Sequence, residues 1–134
     1  MIEWKQYIED GNNYLKTAVK GHENRKQVFT PEIIYNIVSM SIEKQIMGLL
    51  MYHNRLPENH TLRDLTDAIR ELCPAAEGET SCFPDELSEK LLAMDRFQEI
   101  CCIDLYHREI PREEDVCAFI DIGQKVQAFV NGCL

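Results

Sequence analysis

The residues from Thr30 to about His53 constrain the fold more than any other part of the chain. Thr30 is a good helix cap and Pro31 suits the first helical position, where a missing backbone N–H costs nothing. Ile33, Ile34, Ile37, Val38, Ser41, Ile42, Ile46, Leu49 and Leu50 then recur at helical spacing, and Tyr35, Met40, Met47 and Met51 widen the stripe. A helix apolar over so much of its circumference needs neighbours on several sides. It is therefore expected at the centre of a bundle or in an oligomer interface.

The flanking segments supply such neighbours. Trp4, Tyr7, Ile8, Tyr14, Leu15, Ala18 and Val19 predict a first helix over about Glu3 to Lys20, with Gly21 as its C-terminal stop. After the polar, proline-broken connection from Asn54 to His60, Thr61 with Asp64 three positions on reads as a cap. It opens a shorter helix with Leu62, Leu65, Ala68, Ile69 and Leu72 inward, ending by Pro74. The breaker-rich stretch to Pro84 reads as a loop. A fourth helix is expected over about Asp85 to Leu105, and Pro111 marks a last one running to about Asn131, with Glu113, Glu114 and Asp115 in its first turn. Nothing alternates with period two. At 134 residues the expected architecture is one all-α domain, an antiparallel up-and-down bundle of four to five helices.

Charge limits what such a bundle can bind. Fourteen Lys plus Arg against 23 Asp plus Glu give a net −9, which works against a broad grip on nucleic acid or on an anionic membrane. Positive charge is instead local: Lys16, Lys20, His22, Arg25 and Lys26 are opposed only by Glu23. That patch is either a solvated helix end or an anion contact. Arg108 and Arg112, flanking Ile110-Pro111, form a second possible phosphate cradle, opposed by neighbouring acids. No apolar run approaches the roughly 20 residues that span a bilayer, and the start lacks a signal-peptide layout, so a cytoplasmic protein without membrane contact is expected. Cys73, Cys82, Cys101, Cys102, Cys117 and Cys133 contain no Cys-x-x-Cys pair, and reduced thiols, several packed as small hydrophobes, are expected rather than a metal site. Gly-rich phosphate loops, Gly-x-Ser-x-Gly and His-Glu-x-x-His are missing. No catalytic residue and no cofactor is assigned.

The stretch Met40-Ser-Ile-Glu43-Lys44-Gln-Ile-Met-Gly-Leu49-Leu50, followed after a loop by His60-Thr-Leu62-Arg-Asp-Leu65, resembles the signature of the HEPN domains. Those are small helical bundles with an Ala-x-Glu-Lys-x-x-Lys-Ala-Leu-Leu stretch late in the second helix and His-x-Leu opening the third. Glu43, Lys44, Leu49, Leu50, His60, Leu62 and Leu65 match in type and order. Met40, Met47 and Gly48 depart from it, standing where the family often has glutamine, a second lysine and alanine.

The resemblance implies a homodimeric, non-catalytic binding module for nucleotide or nucleic acid, with a separately encoded nucleotidyltransferase as a possible partner. Its alternatives are a metal-independent ribonuclease toxin of a toxin-antitoxin pair and a protein-protein adaptor. Ribonuclease members carry Arg-x(4 to 6)-His near the last long helices. The literal match here, Arg55 to His60, crosses a proline loop, and at the family's position stand Tyr106, His107 and Arg108. The candidate ligand-binding residues are thus Glu43, Lys44, His60, Tyr106, His107 and Arg108, with Lys16, Lys20, Arg25 and Lys26 as the basic patch. Glu43 and Lys44 point about 100° apart on a helix and cannot simply pair with each other. Each is expected either to tie to a neighbouring element or, for Lys44, to neutralise a phosphate. His60, just ahead of a helix start, reads as a cap or loop anchor, or else as a ligand.

Overall fold

In a computed structural model the described residues are 3–57, 61–72, 83–97 and 109–134. They form an all-helical bundle. Its elements are α1 (Glu3–Asn24), α2 (Pro31–Tyr52), α3 (Leu62–Leu72), α4 (Asp85–Met94), a 3-10 turn (Asp95–Phe97) and α5 (Glu113–Gly132). No strand occurs among the described residues. The fourth α-helix, expected to about Leu105, ends at Met94 and tightens into the 3-10 turn; residues 98–105 and the break at Pro74 lie outside the described residues.

The central role expected for α2 is what its packing shows: it lies against α1, α5 and α3. Thr30 caps it, its hydroxyl accepting from the Ile33 N–H. Ile34, Val38, Ile42, Ile46, Leu49 and Leu50 are completely buried. Burying side chains of this size contributes about 1.5–3 kcal/mol each, offset by the entropy of ordering them. Ile33 and Met40, by contrast, keep an exposed side.

α1 and α2 form an antiparallel hairpin that closes tightly at two glycines. A Cβ on Gly11 would lie 2.9 Å from Gln45 Cγ and 3.0 Å from the Ser41 carbonyl, and one on Gly48 would lie 2.6 Å from Ile8 Cδ1. Gly48, where the HEPN pattern has alanine, thus marks a close helix approach. The space saved is bridged by polar groups. The Ser41 hydroxyl donates to the Gly11 carbonyl at 2.7 Å, and Gln45 Nε2 donates to Asn12 Oδ1. Gln127 of α5 donates to the same Asn12 oxygen at 2.7 Å, so three helices meet on one acceptor.

Besides the end of α4, two helix boundaries differ from the sequence reading. Gly21 does not stop α1: the helix continues to Asn24, and the Arg25 N–H donates to the Gly21 carbonyl at 2.8 Å. The glycine instead leaves room for Phe29, whose Cγ a Cβ would meet at 2.4 Å. Pro111 does not occupy the first helical position either. It is buried ahead of α5, whose cap is the extended Arg112, with the Asp115 carboxylate accepting from the Arg112 N–H at 2.9 Å.

The other end of the core is aromatic. Tyr35 of α2, Phe97 of the 3-10 turn and Phe119 of α5 pack with ring centroids 5.1 to 5.7 Å apart. The Tyr35 hydroxyl donates to the Met94 carbonyl at 2.8 Å, at the point where α4 tightens into the 3-10 turn. Arg70 and Asp85, 2.8 Å apart, tie the end of α3 to the start of α4.

Gly11→Ala tests the tight crossing. Alanine gains about 1 kcal/mol in helix preference, but overpacking a close contact costs about 1–3 kcal/mol. The expected outcome is a lower urea midpoint for Gly11→Ala than for the unaltered chain. An exposed-site control such as Asn13→Ala should not fall in this way.

Candidate functional site

The antiparallel hairpin brings the start of α1 beside the end of α2, and cations and aromatic rings collect along this seam. Lys44 lies on the α1 side of α2. Its ammonium is 4.2 Å from the centre of the Tyr7 ring and 3.9 Å from Asp10 Oδ2, and 31% of its side chain remains exposed. The first of the two expectations for Lys44, an attachment to a neighbouring helix, is therefore realised. The ammonium has three donors and a partly open surface, so this attachment leaves it able to meet an anion. Glu43 is half-buried on the same helix.

Further along the seam, Trp4 of α1 and Tyr52 of α2 meet edge to face with centroids 4.9 Å apart, and Tyr52 meets His53 in the same manner at 5.0 Å. Lys5 lies 5.4 Å from the Trp4 ring centre. α2 ends in a turn in which Asn54 takes a left-handed conformation, φ 57°. Asparagine tolerates this better than most residues. The turn returns the chain so that the Arg55 N–H donates to the Leu50 carbonyl at 2.8 Å. A cavity of about 510 Å³ opens here, lined by Glu3, Trp4, Met51, Tyr52, Asn54, Arg55 and Leu56.

The basic patch is less free than its sequence implies. Lys16, Lys20, Arg25 and Lys26 are all exposed, but Glu113 at the start of α5 reaches it, 3.6 Å from Lys26 Nζ and 3.9 Å from His22 Nδ1. The acids near Arg112 also oppose a phosphate cradle: its guanidinium is 3.7 Å from Glu114, and Glu109, Glu114 and Asp115 line the same opening. His60, Tyr106, His107 and Arg108 lie outside the described residues. So do Cys73, Cys82, Cys101 and Cys102. Of the other thiols, Cys117 is exposed rather than packed inward, and Cys133 is half-buried.

A second, narrower groove of about 200 Å³ lies between α4 and α5, floored by Met94, Phe97, Phe119 and Ile122 and rimmed by Lys90, Arg96, Asp115 and Asp121. Near it, Asp95 at the end of α4 has a carboxyl oxygen, Oδ1, that is buried without a hydrogen-bond donor among the described residues. Burial raises its pKa above the ordinary 3.8, Arg63 opposing and Asp64 adding to the rise. Among the described residues no three His, Cys, Asp or Glu side chains gather as a metal site would require.

Trp4, Tyr52 and Asn12 carry no site signature in the sequence. The available signal is positional: two long helices joined by a short loop fold back, placing residue 4 beside residue 52.

Asp95 supplies a pH test. Its raised pKa means the fold favours the protonated carboxyl, so its stability cost is absent below the ordinary value of 3.8. That cost grows as pH rises through the folded-state value and is complete above it. Asp95→Asn is expected to raise the melting temperature at pH 7, with the gain vanishing near pH 3 (roughly a unit below the ordinary carboxylate value). An equal gain at both pH values would show that ionisation of Asp95 is not the cause.

No family profile matches the chain, and no match was found among curated proteins. No helix among the described residues is long and apolar enough to cross a membrane. Among solved structures, the crystal structure of TT1696 from Thermus thermophilus matches 100% of this chain over 100% of its own length, with a TM-score of 0.74 at 17% identity. At that identity the likeness establishes a shared all-helical fold.

Proposed function

We propose that the protein is a HEPN-like, non-catalytic module that binds nucleotide or single-stranded nucleic acid along the α1–α2 seam. One observation carries this reading. On an acidic chain, Lys44 with Tyr7, and Lys5 and Arg55 with Trp4 and Tyr52, interleave cations with aromatic rings along one edge. Proteins that bind single strands or nucleotides without reading a duplex use this combination, with rings for bases and a few cations for phosphates. The net charge of −9 fits a short ligand better than a long polyanion. The ordered match from Glu43 to Leu65 supports the same family, and a nucleotidyltransferase is the partner it implies.

A homodimer belongs to this reading. Ile33, Ile37 and Met40 share one stripe of α2, and Ile33 and Met40 are 40% and 42% exposed. Sedimentation is expected to show a dimer that becomes monomeric in the Ile33→Glu, Met40→Glu variant. A monomeric unaltered chain would remove this part of the proposal.

The binding claim is tested by melting curves with ATP and with short single-stranded RNA. Both ligands should raise the melting temperature, and Lys44→Ala should diminish the rise. Because few cations are involved, log K should fall only shallowly with log salt, by roughly 0.7 per phosphate contact. RNA should remain intact. Cleavage that disappears in His107→Ala and Arg108→Ala would instead establish the ribonuclease toxin.

A further inference from the structure

We infer that the cavity between the first turn of α1 and the turn after α2 is a mononucleotide site, with the base against Trp4 and Tyr52 and the phosphate at Arg55. This rests on the nucleotide-binding reading and gives it a definite place at one end of the seam, lined by none of the residues that carry the family resemblance. Four observations support it.

The volume of about 510 Å³ falls within the range of small-molecule sites, about 300–1,000 Å³, and is large enough for a single nucleotide. Tyr52 is 47% exposed, yet its ring is held edge to face by Trp4 on one neighbouring helix and by His53 at the end of its own, so an aromatic surface is presented in a fixed orientation. Leu56, 68% exposed at the same opening, adds apolar surface that a base would cover. Arg55 is exposed and makes no ion pair with any described residue, whereas Arg70, Arg96 and Arg112 each face a carboxylate. Its backbone is nevertheless fixed, through the left-handed Asn54 and the bond to the Leu50 carbonyl, so the side chain leaves from a defined Cα. A planar fork of N–H donors is well suited to phosphate.

The remaining polar groups fit the same ligand. The Asn54 amide can both donate and accept at a base edge, and the Glu3 carboxylate can accept from an exocyclic amine. That pairing favours an amino-bearing base such as adenine. The mixed lining and its single arginine match an amphipathic ligand with one phosphate group better than they match an extended strand.

Trp4 is the chain's only tryptophan, so the site carries its own reporter. The experiment titrates the full chain with AMP, adenosine and ribose 5-phosphate while following tryptophan emission. AMP is expected to change it saturably and adenosine more weakly, while ribose 5-phosphate should bind least. Tyr52→Ala and Arg55→Ala should each weaken AMP by about tenfold or more, and Lys125→Ala on α5, where the lysine pairs with Asp121, should leave the AMP titration unchanged. The inference is overturned if AMP leaves Trp4 emission unchanged, or if both variants titrate like the unaltered chain. Were AMP to raise the melting temperature without either effect, nucleotide binding would stand and this location would fall. If no nucleotide altered melting or emission, both would fall together.

Discussion

The close crossing of α1 and α2 is the constraint on which the remaining structure depends. Two glycines, Gly11 and Gly48, let the helices approach until side chains of one touch the backbone of the other. At that distance polar groups can no longer be left to solvent, and each buried donor or acceptor needs a partner. The Ser41 hydroxyl and the Gln45 amide N–H take up that role toward α1, and Asn12 passes it on to Gln127 of α5, while Gln45 Oε1 finds no donor among the described residues. The apolar stripe of α2 drives association; the polar contacts choose the register. A one-turn slip along the hairpin would place side chains at the two crossings and strand Gln45 in an apolar interior.

The same crossing explains why the candidate site exists. Because α1 and α2 are antiparallel and similar in length, their near ends meet, and residues far apart in sequence become one surface. Trp4 packs on Tyr52 there, and the chain changes direction directly after α2. A left-handed Asn54 makes that change and returns Arg55 toward the helix end. Ligand-binding chemistry is thus set by hairpin geometry, on rigid elements and one short turn.

Fold class is legible in the sequence because helical periodicity is a local property and α2 declares its burial openly. The caps at Thr30 and Thr61 are equally local, each needing only a hydroxyl two or three residues ahead of a free N–H. What escapes is what depends on another helix. Gly21 looks like a stop signal in isolation, and only the position of Phe29 shows it to be a packing glycine. Ile33 has the spacing of a core residue, yet no neighbouring helix covers it completely. The family pattern picks out Lys44, but its partners Tyr7 and Asp10 become known only once α1 lies beside it. Tyr52 and Arg55 carry no motif, since a site made by two helix ends leaves no contiguous trace.

One consequence follows from the shared oxygen of Asn12. An acceptor that serves both Gln45 and Gln127 makes the opening of α5 and the opening of the hairpin unequal events. If α5 swings away, Asn12 keeps its bond to Gln45 and the hairpin stays sealed. If α1 lifts, both glutamine amides lose their acceptor at once. Slow amide exchange should therefore be inherited in one direction: α1 and α2 form the last cooperative unit to open, and α5 breathes against it. The protein is in this sense a two-helix clasp with a hinged third member.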